Sequence, residues 1–547
     1  MCIRDSYKYI DGYGDGRAIS IGEVANGYEL QLKGAGKTPF HRGADGRAVL
    51  RSSVREFLAS EAMHWLDVPT TRALSLVVSG SETVQRPWYS ESAQLQIPNE
   101  EDPRLEQFPP EQRKAILRSM RNQKADPNIL QAEHCAITCR VAPSFVRIGH
   151  LDLFARRATS VLKEEDSKRA ATTTTEEEGE TKQPETSMDV DNNKSPYDTS
   201  SPQWKELEDL IWHACYREYR QEAYDPFYEK MDIVSASRKL LELSAKKIAA
   251  MIGHWIRVGF TQGNFNADNC LIGGYTMDYG PFGWVEEYSP VYAKWTGSGQ
   301  HYGFLNQPIA GLANYNVLAV SIAPVISAKT GQEEESIVDF CMTKAKVIFQ
   351  HAAAEAYRIK MGLTKDNAIG DHLWKELEPL LRGSRVDWTL FWRQLTYVMR
   401  DYPDLTSTDY SGMMKVLEGA NDSNEAGEWP RYSPFYEKYS DQLRLMWVDW
   451  IKMWRQALVQ ESKSAGAGHT GTVVYDRMRG ENPKFVLREW MLADAYKAAA
   501  KGNYALIHSL HELSQHPYEE GTDEETKKYY RRTPEKVQMC GGIHFMS

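Results

Sequence analysis

Three stretches of the sequence gather residue types suited to handling phosphate. The densest is Gln262-Gly-Asn-Phe-Asn-Ala-Asp268-Asn269, followed by Cys-Leu-Ile-Gly-Gly-Tyr-Thr-Met and then Asp278-Tyr-Gly280. Asn269 and Asp278 offer hard oxygen ligands, which suit Mg²⁺ bound through phosphate oxygens. The second stretch is Gly14-Asp15-Gly16-Arg17 ahead of a strand-like run, with Lys33 closing the next such run. Glycines at the start of a hairpin let backbone N–H groups approach phosphate oxygens, and a Lys on the neighbouring strand can reach the same oxygens. Glu56, on the helical stretch that follows, can hold that Lys in place. The third stretch is Arg140-Val-Ala-Pro-Ser-Phe-Val-Arg147, with Asp45-Gly46-Arg47 upstream. Two guanidinium forks at that spacing can converge on one polyphosphate. Taken singly, each stretch is also what turns and surface arginines look like. Their order along the chain is what points to metal-bound phosphate chemistry.

Protein kinases place parts in the same sequence: glycine loop, strand Lys, helix Glu, catalytic loop ending in a metal-binding Asn, and an Asp-Phe-Gly whose Asp binds the metal. One position departs. In the kinase pattern the proton-accepting Asp precedes the metal Asn by five positions. Five before Asn269 stands Asn264, which has no carboxylate to take a proton. The nearest carboxylate is Asp268, directly adjacent, so phosphotransfer in the kinase manner is either lost or replaced by a different arrangement.

These residues need a scaffold, and the hydrophobic pattern supplies an α+β one. Strands are expected at Ala18–Glu23 and Tyr28–Lys33, joined by the hairpin dipeptide Asn26-Gly27. Apolar residues at helical spacing predict a helix over Ala48–Leu66, and strand-like text recurs at Thr71–Val78 and Ala136–Val141. From Glu164 to Gln203 a Thr run, the acidic Glu176–Glu178 and Ser/Pro/Asn-rich text cannot bury apolar area and are expected to be a disordered insertion. Beyond it, helices are expected over Leu207–Glu218, Ser235–Val258, Ile337–Met361, Trp388–Val398, Tyr436–Glu461 and Val486–Leu513. A brief apolar strand is expected after Asn269. The pattern predicts a two-lobed fold: a strand-rich nucleotide-binding lobe over 7–162, the insertion over 163–203, a helical lobe over 204–535 and a tail over 536–547.

The bulk numbers narrow the class. With 547 residues, more than one core can form, and 41% hydrophobic with 26% charged residues describes a globular chain. A formal net charge of −10 argues against a general nucleic-acid binder. No stretch reads as a membrane span, the most apolar run, Val317–Val325, being too short. Seven cysteines are scattered without CxxC spacing, so most are expected to be reduced, buried thiols, with Cys540 the one to watch for redox chemistry. His508, His511 and His516 match no metal-site spacing and are expected on a helix surface. The glycine loop comes so soon after Met1 that the nucleotide-binding lobe is expected to lack its amino-terminal portion, which also hides any targeting segment.

Together the segments resemble the selenoprotein O (YdiU) family, kinase-like protein adenylyltransferases. The resemblance rests on Gly14–Glu23, Glu29-Leu-Gln-Leu-Lys-Gly-Ala-Gly-Lys-Thr-Pro39, Ala44–Leu58, Pro69-Thr-Thr-Arg-Ala-Leu-Ser-Leu76, Arg140–Arg147, Met277-Asp-Tyr-Gly-Pro-Phe-Gly283 and Asn482-Pro-Lys-Phe-Val-Leu-Arg488. It implies a two-lobed kinase-like fold and transfer of AMP from ATP to protein Ser, Thr or Tyr hydroxyls. It further implies an inverted ATP, with the α-phosphorus facing the acceptor. Gly14, Gly16, Arg17, Lys33, Asp45, Gly46, Arg140 and Arg147 would then contact the nucleotide, with Glu56 pairing Lys33. Asp268 would accept the proton, while Asn269 and Asp278 would hold Mg²⁺, or Mn²⁺ in its place. Gln262 stands where many members have His, and Ala313-Asn-Tyr315 replaces an expected Trp-Asn-Leu. Many members end in a Cys-Ser-Ser or selenocysteine-containing tail, whereas this sequence stops at Phe545-Met-Ser547, so that tail is expected to be cut or absent here. The family occurs in mitochondria and in bacterial cytoplasm, so either compartment is expected according to source. A monomer is expected, with ATP and acceptor proteins as partners and neither nucleic acid nor membrane. The competing expectations are kinase-type phosphotransfer and a catalytically dead ATP-binding scaffold.

Overall fold

The computed structural model describes residues 16–39, 41, 43–88, 103–105, 109, 113, 128–162, 196–293, 300–364, 366–419, 432–436, 438–465 and 470–533. Gly14, Cys2, Cys540, residues 163–195 of the expected insertion and the whole expected tail lie outside them. Residues 196–203, also expected to belong to the insertion, are described, and Pro202 and Gln203 already open a helix capped by Ser201. The chain is mixed α/β: an antiparallel sheet comes first and a much larger set of helices follows.

Strand β1 (Ala18–Glu23) turns through Asn26-Gly27 into β2 (Glu29–Lys33). The central strand is β5 (Ile129–Ala142), antiparallel to β2 and the short β3 (Ala48–Val49) along one edge and to β4 (Arg72–Trp88) along the other. Both β4 and β5 outrun the expected lengths. Their outer halves, where Trp88 pairs Ile129, form a largely exposed two-stranded ribbon whose polar text carries no buried alternation. Helix α1 (Leu50–Trp65) follows β3 directly and buries Val54, Leu58, Ala59 and Met63.

Helices α2 (Ile148–Thr159), α3 (Pro202–Glu218) and α4 (Ile233–Val258) come next. Asp232 caps α4 by accepting from Ser235 N at 3.0 Å, and Gly259 ends it at φ +75°. A Cβ at Gly259 would lie 2.4 Å from the Trp388 ring, so only glycine fits both the left-handed conformation and the space. The chain then enters a two-stranded ladder, β6 (Phe260–Gln262) against β7 (Phe282–Trp284), which brackets the Asn/Asp-rich loop. Beneath that loop Phe260 stacks on Phe282 (5.7 Å) and meets Trp284 edge-on (5.4 Å), while Trp255 meets Phe265 (4.8 Å). No strand forms between Asn269 and Asp278. Leu271 makes only an isolated bridge to Arg147.

The remaining helices are α5 (Gln307–Thr330), α6 (Glu334–Lys360), α7 (Ile369–Gly383), α8 (Trp388–Asp401), α9 (Tyr410–Leu417), α10 (Asp441–Ala465), α11 (Gly471–Glu481), α12 (Glu489–Ala499), α13 (Ala505–Ser514) and α14 (Asp523–Tyr529). The expected helix Val486–Leu513 is thus two, broken at Gly502 (φ +79°). Phe304–Thr330 is long and apolar enough to cross a membrane by length and composition, with mean hydropathy 1.7, contrary to the sequence expectation. Two-thirds of that window is buried here, and its polar residues face the Asn/Asp-rich loop: Gln307 Nε2 donates to Gln262 O (3.1 Å) and Asn314 Nδ2 to Phe265 O (2.9 Å). Cys135, Cys139, Cys215 and Cys270 are buried free thiols, and Cys341 is partly buried.

One carboxylate in this helical part ties stability to acid. Burial pushes Glu520 up, but Arg393 (2.6 Å), the Tyr397 hydroxyl (2.6 Å) and Lys484 (3.1 Å) outweigh it and hold the group down at about 2. A carboxylate depressed in the folded state contributes stability that is present above its unfolded value of about 4.3 and lost as pH falls toward 2. Glu520→Gln is therefore expected to flatten the fall in melting temperature between pH 4.5 and 2.5, measured by thermal denaturation across that range. An unchanged acid limb would remove Glu520 from the account.

Candidate active site

Lys33 ends β2 with its side chain buried, and its Nζ meets Glu56 Oε2 at 2.9 Å. The same Nζ pairs with Asp278 Oδ1. Glu56, on the buried face of α1, also takes Arg140 Nη1 at 3.3 Å on its other oxygen and the Tyr279 N–H at 2.9 Å. Arg140, from the central strand, lies 3.7 Å from Asp278 Oδ1 and donates to Gln31 Oε1. Two cations and two carboxylates from β2, α1, β5 and the Asp278 segment therefore share one cluster. Of these only Asp278 is appreciably open to solvent, at 24% of its side chain.

Asp278 has φ +57°, unusual for a residue with a side chain. Such a backbone costs about 1–3 kcal/mol and persists only where its surroundings hold it. Here Gln262 Nε2 donates to Met277 O (2.8 Å) and Asp278 O (3.1 Å), tying the start of the loop to its end. Gln262, conspicuous in the sequence as a replacement for His, thus serves as a latch within the loop.

A second pair forms beside the first: Arg147 Nη1 lies 3.3 Å from Asp268 Oδ1. Arg147 leads into α2, and its backbone N–H donates to His150 Nδ1 at 3.3 Å. Removal from water and the Arg147 charge push His150 down to about 3, so the ring is a neutral acceptor. Asp268 and Asn269 sit on a single 3₁₀ turn capped by Asn266, whose Oδ1 accepts from both backbone N–H groups at 3.1 Å. Asn269 Nδ2 donates to Asn264 O at 2.8 Å, so of its two amide atoms the oxygen is the one that could hold a metal. Asn264 thus positions Asn269 through its backbone and has no carboxylate to act as a base.

The glycine segments meet the same region from above. Gly34 N donates to Arg17 O (2.7 Å) and Thr38 N reaches Gly16 O (3.4 Å). Gly46, at φ +71°, accepts from Gly36 N (3.1 Å), and a Cβ there would fall 2.2 Å from the Gly36 carbonyl carbon. A small cleft is lined by Arg17, Lys33, Ser52, Ser53, Glu56 and Thr138. Asp45 is gripped by Arg86 through two contacts of 2.7 and 2.9 Å, and Arg86 with the Arg47 N–H holds its carboxyl below the usual range. It points to a structural neighbour in this conformation, and the two arginines that the spacing suggested would converge are paired with different carboxylates. A roomier apolar cleft between α5, α6 and α7, lined by Ile309, Phe349, Tyr357 and Trp374, contains none of these groups.

The sequence reading missed Gln31, Asn266 and Gln262 as a latch. Gln31 was within reach of it, since it stands two residues before Lys33 and so on the same face of the strand. Among the described residues, no three His, Cys, Asp or Glu side chains gather as a metal cluster. His511 instead lies against the Phe57 ring at 5.5 Å, and His508 is exposed.

The chain matches the family model described as protein adenylyltransferase SelO over residues 7–95 and 119–515. It is 30% identical over 545 residues to the protein nucleotidyltransferase YdiU of Rhodopirellula baltica, covering 98% of this chain and 81% of that protein. The protein of the same name from Flavobacterium johnsoniae is 31% identical over 542 residues, covering 98% and 80%. That from Azoarcus sp. is likewise 31% identical over 542 residues.

Proposed function

The chain belongs to the protein adenylyltransferase SelO family, and from that premise we propose how its site moves AMP from ATP to the Ser, Thr or Tyr hydroxyls of proteins. The enzyme is a nucleotidyltransferase with ATP as its donor. The proposal extends to a kinase-like, two-lobed fold, with the sheet and α1 as the nucleotide-binding lobe (7–162) and the helices from 204 to 535 as the second lobe. The observation that carries it is the cluster in which Lys33 and Arg140 meet Glu56 and Asp278, with Asp268 rather than residue 264 offering a carboxylate on the adjacent turn.

Lys33, Arg140 and Arg147 provide the positive charge for a triphosphate, and the interlocked turns at Gly16-Arg17 and Asp45-Gly46 provide backbone groups close to it, with Gly14 preceding them. Asp278 and the free oxygen of Asn269 fit a hard divalent cation, since both are oxygen donors beside a cationic phosphate cradle. Mg²⁺ held there would neutralise charge on the polyphosphate. The acceptor oxygen attacks the α-phosphorus and the bond to the α,β-bridging oxygen breaks. AMP becomes esterified to the protein, pyrophosphate departs, and the hydroxyl proton passes to Asp268. Arg147 keeps that carboxylate aimed.

Full-length protein incubated with α-labelled or γ-labelled ATP and Mg²⁺ is expected to incorporate label from the α position only. Incorporation from γ alone would mean phosphotransfer. Neither label, with a thermal shift by ATP and Mg²⁺ retained, would mean an ATP-binding scaffold. Asp268→Ala is expected to lower α-label transfer by about 10²–10⁴-fold, the scale of a lost proton acceptor, while the ATP-induced thermal shift persists. Loss of both together would contradict the role given to Asp268.

A further inference from the structure

Arg55 stands one residue before Glu56 on α1, is 3% exposed, and has no part in the steps above. Its Nη2 donates to Gly280 O at 3.0 Å and to Phe282 O at 3.5 Å, and its guanidinium lies 4.5 Å over the Phe282 ring. Its Nη1 pairs with Glu489 Oε1 at 2.5 Å. Glu489 is the first residue of α12, is 6% exposed, and has the Tyr496 hydroxyl 3.4 Å from the same oxygen. One side chain thus joins α1, the Asp278–Phe282 segment and a helix 434 residues away in sequence. The neighbouring α13 leans on α1, with His511 against Phe57.

Asp278 keeps its left-handed backbone only while its flanks are held. Glu56 holds the Tyr279 N–H and Gln262 the carbonyls at 277 and 278, while Arg55 takes those at 280 and 282. Arg55 can do so because Glu489 neutralises it; a buried guanidinium without its carboxylate would leave the site for water. We propose that Arg55 is a positioning residue that fixes Asp278 in register with Glu56, and that Glu489 sets its orientation, making α12 part of the catalytic assembly. The proposal rests on the reading of Asp278 as a metal ligand.

The test compares the full chain with Arg55→Met/Glu489→Met, Glu489→Gln and Asp278→Ala. The double replacement removes both charges together and so avoids stranding either one. Self-labelling with α-labelled ATP gives kcat and KM for ATP, and hydrogen exchange reports on the peptide spanning 276–284. The double variant and Glu489→Gln are expected to lose about 10-fold or more in kcat, the scale of groups that orient metal ligands, with KM for ATP little changed. Exchange is expected to rise in 276–284 and stay unchanged in α4. Wild-type kcat and wild-type exchange in the double variant would overturn the proposal, as would a rise spread evenly over the chain. Should the double variant fail to fold, Glu489→Gln, which keeps the volume, carries the same measurement. If Asp278→Ala retains transfer, the metal-ligand reading fails, and exchange in 276–284 alone then decides whether Arg55 holds the segment.

Discussion

Asp278→Ala is expected to lower AMP transfer by about 10³-fold or more, the scale on which charge-stabilising groups act in phosphoryl chemistry, while leaving ATP able to bind. The asymmetry follows from the cluster. Asp278 is the cluster's solvent-open carboxylate, and it shares Lys33 and Arg140 with the buried Glu56. Removing it takes away a cation ligand and also releases positive charge toward the nucleotide. Metal-free ATP is therefore expected to bind the variant at least as well as the wild type, and Mg²⁺ to add little. Isothermal titration with ATP in EDTA and then in Mg²⁺ separates the two effects from the rate. A variant that still turns over at a tenth of the normal rate would exclude Asp278 as a ligand.

The sequence and the structure agree best where a local rule has one solution. Asn26-Gly27 between alternating apolar residues can only be a tight hairpin, and β1 ends where the alternation does. Helix α1 was legible from its apolar spacing for the same reason. Helix α2 was not, because it starts at Ile148 without a Ser, Thr, Asp or Asn cap and is set instead by Arg147 and His150. Helix α5 has no polar face to give it a period, so its apolar run looked like a fragment too short to matter; burial against other helices makes it a core element.

The site divides the same way. Lys33, Glu56, Asp268, Asn269 and Asp278 were visible because their chemistry is tied to motif spacing. Gln31, Gln262 and Arg55 act by accepting or donating to residues 109, 15 and 225 positions away, and no spacing rule relates those pairs. Asp45 shows the converse. Its motif position suggested a nucleotide contact, yet Arg86, brought alongside by the outer ribbon of β4, occupies both of its oxygens.

The segment Asn482–Arg488 carries the second large effect, although it lies outside the phosphate cluster. Arg488 meets Asp387 through two contacts of 2.7 and 2.8 Å, and the residues are 3% and 0% exposed. Burial alone would push the Arg488 guanidinium down, but Asp387 outweighs it and raises its proton affinity, so the guanidinium stays charged at any ordinary pH. Asp387 Oδ1 also accepts from Leu390 N at 3.0 Å, capping α8. Removing one partner leaves an uncompensated charge in the core, which costs about 3–5 kcal/mol. Arg488→Met is therefore expected to lose that much in urea-induced unfolding, and Asp387→Ala somewhat more because the cap, worth about 1 kcal/mol, goes with it. Asp387→Asn/Arg488→Met keeps a capping oxygen and removes both charges, so it is expected to regain most of the loss, a coupling that a double-mutant cycle closed with the Asp387→Asn and Arg488→Met singles measures directly. Because Arg488 is the residue before Glu489, slackening this anchor also frees the start of α12, and Arg488→Met is expected to lower kcat under conditions where the variant remains folded. Additive single and double effects on stability would show that the two charges stabilise the fold separately and that the pair is no anchor.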